Sequence, residues 1–126
     1  MILITGGSCQ GKLDFARERF QLADGDIFIC GEDTAAPDLS KKCIARLDLF
    51  ALNRVRAGEE PADILRDSLA ALGDRVLVTT DISCGVVPVD PVIRAWREAC
   101  GRMNNLLAAR ADEVWRLFCG IPQRIK

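Results

Sequence analysis

The first twenty residues, MILITGGSCQGKLDFARERF, restrict the fold more than any other part of the sequence. A short apolar run predicts a strand, and an amphipathic pattern from residue 11 predicts a helix. Between them lies Gly6-x-x-x-x-Gly11-Lys12. Glycines at this spacing let consecutive backbone N–H groups curl around a phosphate, which the lysine can also reach. The alternative is a glycine-rich turn with a solvated lysine, but the strand–loop–helix context favours phosphate binding.

The candidate nucleotide-binding residues form one continuous loop and the start of the helix. They are Gly6, Gly7, Ser8, Cys9, Gln10, Gly11, Lys12 and Leu13. Lys12 is also the candidate catalytic cation on the β/γ-phosphates. Leu13 stands where a Ser or Thr hydroxyl normally binds Mg²⁺, and leucine has no such oxygen. We therefore expect the loop to hold phosphates while binding the metal less well.

A second candidate catalytic residue, Asp81, ends the apolar stretch VLVTTD. Ligands of open α/β sheets lie beyond the carboxyl ends of the strands, which is also where the first strand leads into its loop. Asp81 is therefore the candidate Mg²⁺ ligand, either directly or through water. The alternative, that Asp81 only begins a turn, has equal weight.

Alternating apolar runs and helical stripes predict one α/β domain, residues 1–126, with a mainly parallel sheet. Asp90 and Pro91 mark a helix start, as cap and first-turn residue. The predicted strands are 1–5, 26–30, 75–81, 113–119 and a short last one at 123–126; the predicted helices are 11–22, 43–55, 61–72 and 90–110.

The composition excludes several classes of function. The chain has a net charge of −1 and no long basic run, so neither nucleic acid nor a membrane is an expected partner. No apolar run is long enough to span a bilayer, and the amino terminus lacks the features of a secretory signal, so we expect a cytoplasmic protein. The sequence contains no histidine, which excludes histidine-dependent nucleophile pairs and metal ligands. The six scattered cysteines are expected to be reduced and mostly buried.

Residues 75–126 resemble the carboxyl-terminal half of the adenosylcobinamide kinase / adenosylcobinamide-phosphate guanylyltransferase family of cobalamin biosynthesis. The matching features are Gly85-Val86-Val87-Pro88, Arg94-x-x-Arg97-Glu98, Gly101 with Asn104, Ala111-Asp112-Glu113-Val114, Gly120-Ile121-Pro122 and Ile125-Lys126. The ILITGGxxxGK stretch near the amino terminus matches as well.

The resemblance implies a P-loop NTPase fold of the RecA-like kind, binding of GTP or ATP, and a homo-oligomer, specifically a trimer. It also implies two activities, phosphorylation of a cobinamide hydroxyl and guanylyl transfer through a histidine. The family's middle region is shortened here to roughly residues 31–46, and without histidine the second activity is not expected. Ala45 and Asp48 compete as counterparts of the acid that ends the family's middle strand.

Arg94 and Arg97 lie three residues apart on one predicted helix and form a possible anion clamp. The alternative, which we favour slightly, is an exposed ion-pair face with Glu98 and Glu113. Three functions remain open for the whole chain. One is a kinase that acts on a cobinamide-like hydroxyl; the second is an inactive nucleotide-binding module or subunit of a cobalamin-pathway complex. The third is a structural subunit whose loop binds no nucleotide.

Overall fold

The computed structural model describes all residues, 1–126. In chain order the strands are β1 (Ile2–Gly6), β2 (Ile27–Ile29), β3 (Cys43–Ala45), β4 (Val76–Val78), β5 (Glu113–Phe118) and β6 (Ile121–Arg124). The helices are α1 (Lys12–Phe20), α2 (Leu47–Arg56), α3 (Pro61–Asp67), α4 (Leu69–Leu72) and α5 (Pro91–Arg110).

One six-stranded sheet has the order β2-β3-β4-β1-β5-β6. The first five of these strands run parallel, and β6 returns antiparallel to β5 as a hairpin. The predicted α/β class with a mainly parallel sheet is therefore confirmed. Because β1 lies between β4 and β5, the loop that follows β1 emerges at the middle of the sheet.

The sheet separates two apolar layers. Leu3, Ile44, Leu77 and Val114 occupy neighbouring register positions and pack against the helices on one side, mainly α2, α3 and α5. On the other side α1 packs Ala16 against a second cluster around Ile4, Val78 and Leu117. Both faces of the sheet are thus covered, as parallel sheets require. No helix of the chain is both long and apolar enough to cross a bilayer.

The predicted start of α5 is confirmed. The carboxylate of Asp90 accepts hydrogen bonds from the backbone N–H groups of Val92 and Ile93 at 2.7 and 3.2 Å, and Pro91 lies in the first turn. The preceding proline-initiated helix is also present, although it is divided at Ser68 into α3 and α4. There the Ser68 hydroxyl donates to the carbonyl of Ile64 at 3.2 Å.

The predicted helix over 43–55 is wrong at its amino-terminal end. Cys43–Ala45 is the buried strand β3, and α2 begins only at Leu47. Ile44 therefore packs from the sheet and not from a helical stripe. The predicted last strand at 123–126 lies two residues too late, because β6 spans Ile121–Arg124.

All six cysteines are free thiols, and half of them are buried. Burial raises the pKa of Cys30 to about 12 and that of Cys43 to about 11. The prediction that most cysteines are buried is therefore only half correct, since Cys9, Cys84 and Cys119 are exposed.

Candidate functional site

The loop between β1 and α1 has a backbone that depends on its glycines. Gly6 has φ 142°, and a Cβ atom there would lie 2.4 Å from the carbonyl oxygen of Leu117 in the neighbouring strand. Gly11 precedes α1 in a left-handed conformation with φ 76°. Cys9, with φ 57°, is a non-glycine residue in the same region. The loop is thus tightly curved and passes directly against β5.

The backbone N–H groups of residues 7–11 donate to no atom of the protein, and no side chain caps the start of α1. A helix amino terminus with unpaired N–H groups attracts anions, through hydrogen bonds and through the helix dipole. The loop therefore has the donors that a phosphate group needs.

Lys12 is the first residue of α1, and its side chain is almost completely buried. Its ammonium group donates to the carbonyl oxygen of Gly7 at 2.6 Å, back across the loop. Burial lowers the pKa of Lys12, an effect that Asp48 opposes and Arg46 reinforces. The lysine is thus a poorly hydrated cation within its own loop, where a phosphate can replace the lost water.

A cleft of about 440 Å³ lies beside this loop, at the carboxyl ends of the central strands. We call it the loop cleft; its lining residues are Ser8, Cys9, Gln10, Gly11, Lys12, Leu13, Asp14, Ala45, Arg46, Val78 and Thr80. Most of the predicted loop residues are therefore in one cavity, together with the ends of β3 and β4. This is the edge where open α/β sheets bind ligands.

Asp48, in the first turn of α2, is the one buried acid of the chain. Its side chain is 2% exposed. One carboxylate oxygen accepts from the backbone N–H of Thr80 at 3.2 Å, and the other accepts from Nε and Nη2 of Arg46, both at 3.2 Å. Among the charged groups that change the pKa of Lys12, Asp48 has the largest effect. Of the two competing counterparts of the family's strand-end acid, Ala45 is the last residue of β3 and Asp48 lies in the first turn of α2.

Asp81 lies just beyond β4 and is held close to the loop by its backbone, whose N–H donates to the Gly6 carbonyl at 2.9 Å. Its carboxylate accepts from the hydroxyl and the N–H of Ser83 at 2.5 and 2.9 Å. The Ser83 hydroxyl is the main cause that lowers the pKa of Asp81. Neither this carboxylate nor that of Asp48 lines the loop cleft, and Asp81 has a smaller effect on the pKa of Lys12 than Asp48 has.

Apart from Asp81, whose second carboxylate oxygen accepts no hydrogen bond, the side chains near the loop do not suit a protein-bound Mg²⁺. Leu13 packs partly against the apolar cluster under α1 and offers no oxygen. A carboxylate has about four acceptor sites, and the three hydrogen bonds to Asp48 leave about one. Asp14 lines the cleft, but its side chain is 79% exposed and 3.9 Å from Arg17. No cluster of three or more acidic or cysteine side chains is suitable for a metal ion.

The two arginines of the possible anion clamp bind the protein's own backbone. Arg94 donates to the carbonyls of Pro88 and Val89, and Arg97 donates to those of Ser83, Gly85 and Val86. The favoured alternative, an ion-pair face with Glu98 and Glu113, is wrong. Those glutamates pair with Arg102 and Arg124 instead.

Helix α5 also makes polar contacts with β4 and α2. Thr79, at the end of β4, donates its hydroxyl to the side-chain oxygen of Asn104 at 3.1 Å. Trp96 donates from its indole nitrogen to the backbone carbonyl of Asp48 at 2.6 Å. Helix α5 is therefore hydrogen-bonded to the end of β4 and to the first turn of α2.

Comparison with known proteins gives a family for this architecture. The model of the family "cobinamide kinase / cobinamide phosphate guanyltransferase" matches residues 42–125, which are 84 of the 126 residues. Two relatives are bifunctional adenosylcobalamin biosynthesis proteins, CobU of Salmonella typhimurium and CobU of Escherichia coli. They are 47% and 45% identical to this chain over 51 residues.

The aligned stretch is 40% of this chain and 28% of each relative, so the chain matches only about a quarter of their length. The family match begins beyond the loop of residues 6–13, so the interpretation of that loop depends on its own geometry. The resemblance found in the sequence is nevertheless confirmed over most of the chain. The chain belongs to the cobinamide kinase / cobinamide phosphate guanyltransferase family.

Proposed function

We propose that the chain binds a purine nucleoside triphosphate, GTP or ATP, in the loop cleft and transfers its terminal phosphoryl group to a cobinamide-like hydroxyl. The observation that carries this proposal is the convergence of unpaired loop N–H groups and the buried Lys12 on one cavity. Phosphoryl transfer depends mainly on positioning and charge stabilisation, for which these groups are suited. With this function we expect the fold of a RecA-like P-loop NTPase domain. We also expect the protein to be cytoplasmic and to assemble as a homo-oligomer, specifically a trimer.

In this proposal residues 6–13, which include Lys12, hold the phosphates. Asp81 remains the proposed catalytic carboxylate, which accepts the proton of the attacking hydroxyl, and the proposed Mg²⁺ ligand. Asp48 is the comparison acid, because its buried carboxylate already accepts hydrogen bonds from Arg46 and from the Thr80 N–H. Arg94 and Arg97 can act as an anion clamp only if a ligand replaces the backbone carbonyls of residues 83–89 that they now bind. Guanylyl transfer through histidine is not part of the proposal, because these 126 residues contain no histidine.

A second candidate function is nucleotide binding without catalysis, as a module or subunit in cobalamin biosynthesis. Leu13 is the observation that favours it, since the loop lacks the hydroxyl that normally positions the metal. Binding of nucleotide is common to both candidates. Turnover with a cobinamide acceptor distinguishes them.

We expect the chain to transfer labelled phosphate from γ-labelled GTP or ATP to adenosylcobinamide. Asp81→Asn is expected to abolish this transfer with little change in nucleotide affinity, because an amide cannot accept the hydroxyl proton. Asp48→Asn is the comparison variant, since it changes the other acid near Lys12 without a change in size. Nucleotide binding without any labelled product would favour the inactive module. Transfer by Asp81→Asn at the unmodified rate would exclude Asp81 as the proton acceptor.

Leu13→Ser is expected to make nucleotide affinity depend on Mg²⁺, because the new hydroxyl can bind the metal beside the phosphates. In the unmodified chain we expect titrations with Mg²⁺ and with EDTA to give similar affinities. Leu13→Ala is the matched control, since it removes the same apolar side chain without adding an oxygen. An equal dependence on Mg²⁺ in both variants would contradict this explanation of Leu13.

A further inference from the structure

Arg46 lies between β3 and α2 and lines the loop cleft opposite residues 8–14. Its backbone is left-handed, with φ 59° and ψ 42°, a conformation that costs free energy for a residue with a side chain. Because of this turn the chain leaves the sheet sharply at the carboxyl end of β3. The arginine therefore stands beside the phosphate-binding loop and not on the outer surface of α2.

The guanidinium of Arg46 is held from one side only. Its Nε and Nη2 atoms donate to one oxygen of Asp48, whose other oxygen is fixed by the N–H of Thr80. Nη1 has no partner within the protein, and the side chain is 49% exposed. A carboxylate behind the guanidinium thus fixes its orientation, while the free edge can still donate to a ligand.

The charges around the cleft favour an anion. Lys12 and Arg46 are both close enough for the arginine to lower the pKa of the lysine. Asp48 is 2% exposed and offsets one of these two positive charges. Asp14 also lines the cleft, but its carboxylate is 79% exposed and lies 3.9 Å from Arg17, so the buried part of the cleft keeps one positive charge.

We infer that Arg46 binds a phosphate oxygen of the nucleotide and supplies positive charge that a loop-bound Mg²⁺ would otherwise supply. This inference rests on the proposed function, because it takes the loop cleft as the phosphate site. Arg46 acts through direct hydrogen bonds to the phosphate, and Asp48 is its positioning residue. Phosphate affinity should therefore be largely independent of a divalent metal.

The test uses titration of GTP, ATP and inorganic tripolyphosphate in EDTA. Arg46→Gln is expected to weaken binding of all three by roughly 10- to 100-fold, as the loss of a charge-assisted hydrogen bond predicts. Tripolyphosphate is included because an arginine that binds phosphate does not depend on the base. Arg56→Gln is the matched control: Arg56 ends the same helix, is 48% exposed and also pairs with one carboxylate, that of Glu32.

Loss of Arg46 alone leaves the buried Asp48 without its counter-ion, which destabilises proteins. The double variant Arg46→Gln/Asp48→Asn removes both charges, and it is expected to fold and to show the same weakening. If either folded variant binds the phosphates as tightly as the unmodified chain, the inference on Arg46 is wrong while the proposed function stands. If the unmodified chain itself binds none of the three ligands, the proposed function fails and this inference fails with it.

Discussion

Lys12→Ala is expected to weaken nucleotide binding more than any other single change near the loop. Lys12 is nearly buried, and its ammonium group donates to the Gly7 carbonyl within the loop that is proposed to hold the phosphates. A charge-assisted hydrogen bond contributes about 1.5–3 kcal/mol, which corresponds to roughly a 10- to 150-fold loss of affinity. Isothermal titration with GTP and ATP measures the effect.

Lys42→Ala is the control for this change. Lys42 precedes β3 at the opposite edge of the sheet, pairs with Asp26 at 3.0 Å, and is 71% exposed. Its loss should leave nucleotide affinity unchanged. Because desolvation makes the charged form of Lys12 unfavourable, Lys12→Ala should not lower the free energy of unfolding appreciably. Normal binding by Lys12→Ala would show that the loop does not hold the phosphates.

Gly6→Ala is expected to have the largest effect on stability. A Cβ at this position would lie 2.4 Å from the Leu117 carbonyl oxygen, and the φ of 142° is unfavourable for any residue with a side chain. Backbone strain and overpacking each cost about 1–3 kcal/mol, so the free energy of unfolding should fall by roughly 2–6 kcal/mol. Urea denaturation followed by circular dichroism measures this loss.

Gly101→Ala is the matched control, because it makes the same chemical change in a helix interior. Nothing lies within 4 Å of a Cβ placed at Gly101. Alanine should therefore stabilise α5 by about 0.5–1 kcal/mol. A Gly6→Ala protein that unfolds at the same urea concentration as the unmodified chain would contradict the close approach of the loop to β5.

The elements that were predictable from sequence have local signals. The glycines on both sides of the loop, and the Asp90-Pro91 pair before α5, fix chain direction through backbone geometry and capping. Strand β3 was not predictable in this way. Ile44, Leu47 and Ala51 are spaced as in a helix. All residues of the short strand β3 are buried, so the strand shows no alternation of apolar and polar residues. The break falls at Arg46, a residue type that does not signal a left-handed turn.

The same misassigned segment explains which part of the site the sequence did not reveal. Lys12 and the loop were predictable because their spacing has a direct physical meaning. Arg46 lines the cleft, with Asp48 buried behind it, only because β3 ends at Ala45 and the chain turns there. If residues 43–55 were one helix, neither side chain would have a defined relation to the loop. Sheet order, which brings β3 and β4 beside β1, is set by long-range packing that a single sequence does not display.

We propose that nucleotide binds at this loop without a requirement for a protein-bound metal. Thermal unfolding of the unmodified chain with GTP or ATP, in EDTA and in Mg²⁺, tests it most directly. A ligand at 100 times its Kd adds about 2.7 kcal/mol of stability, so we expect a clear rise in Tm that is nearly equal under both conditions. No rise with millimolar nucleotide, or a rise that appears only with Mg²⁺, would contradict the account.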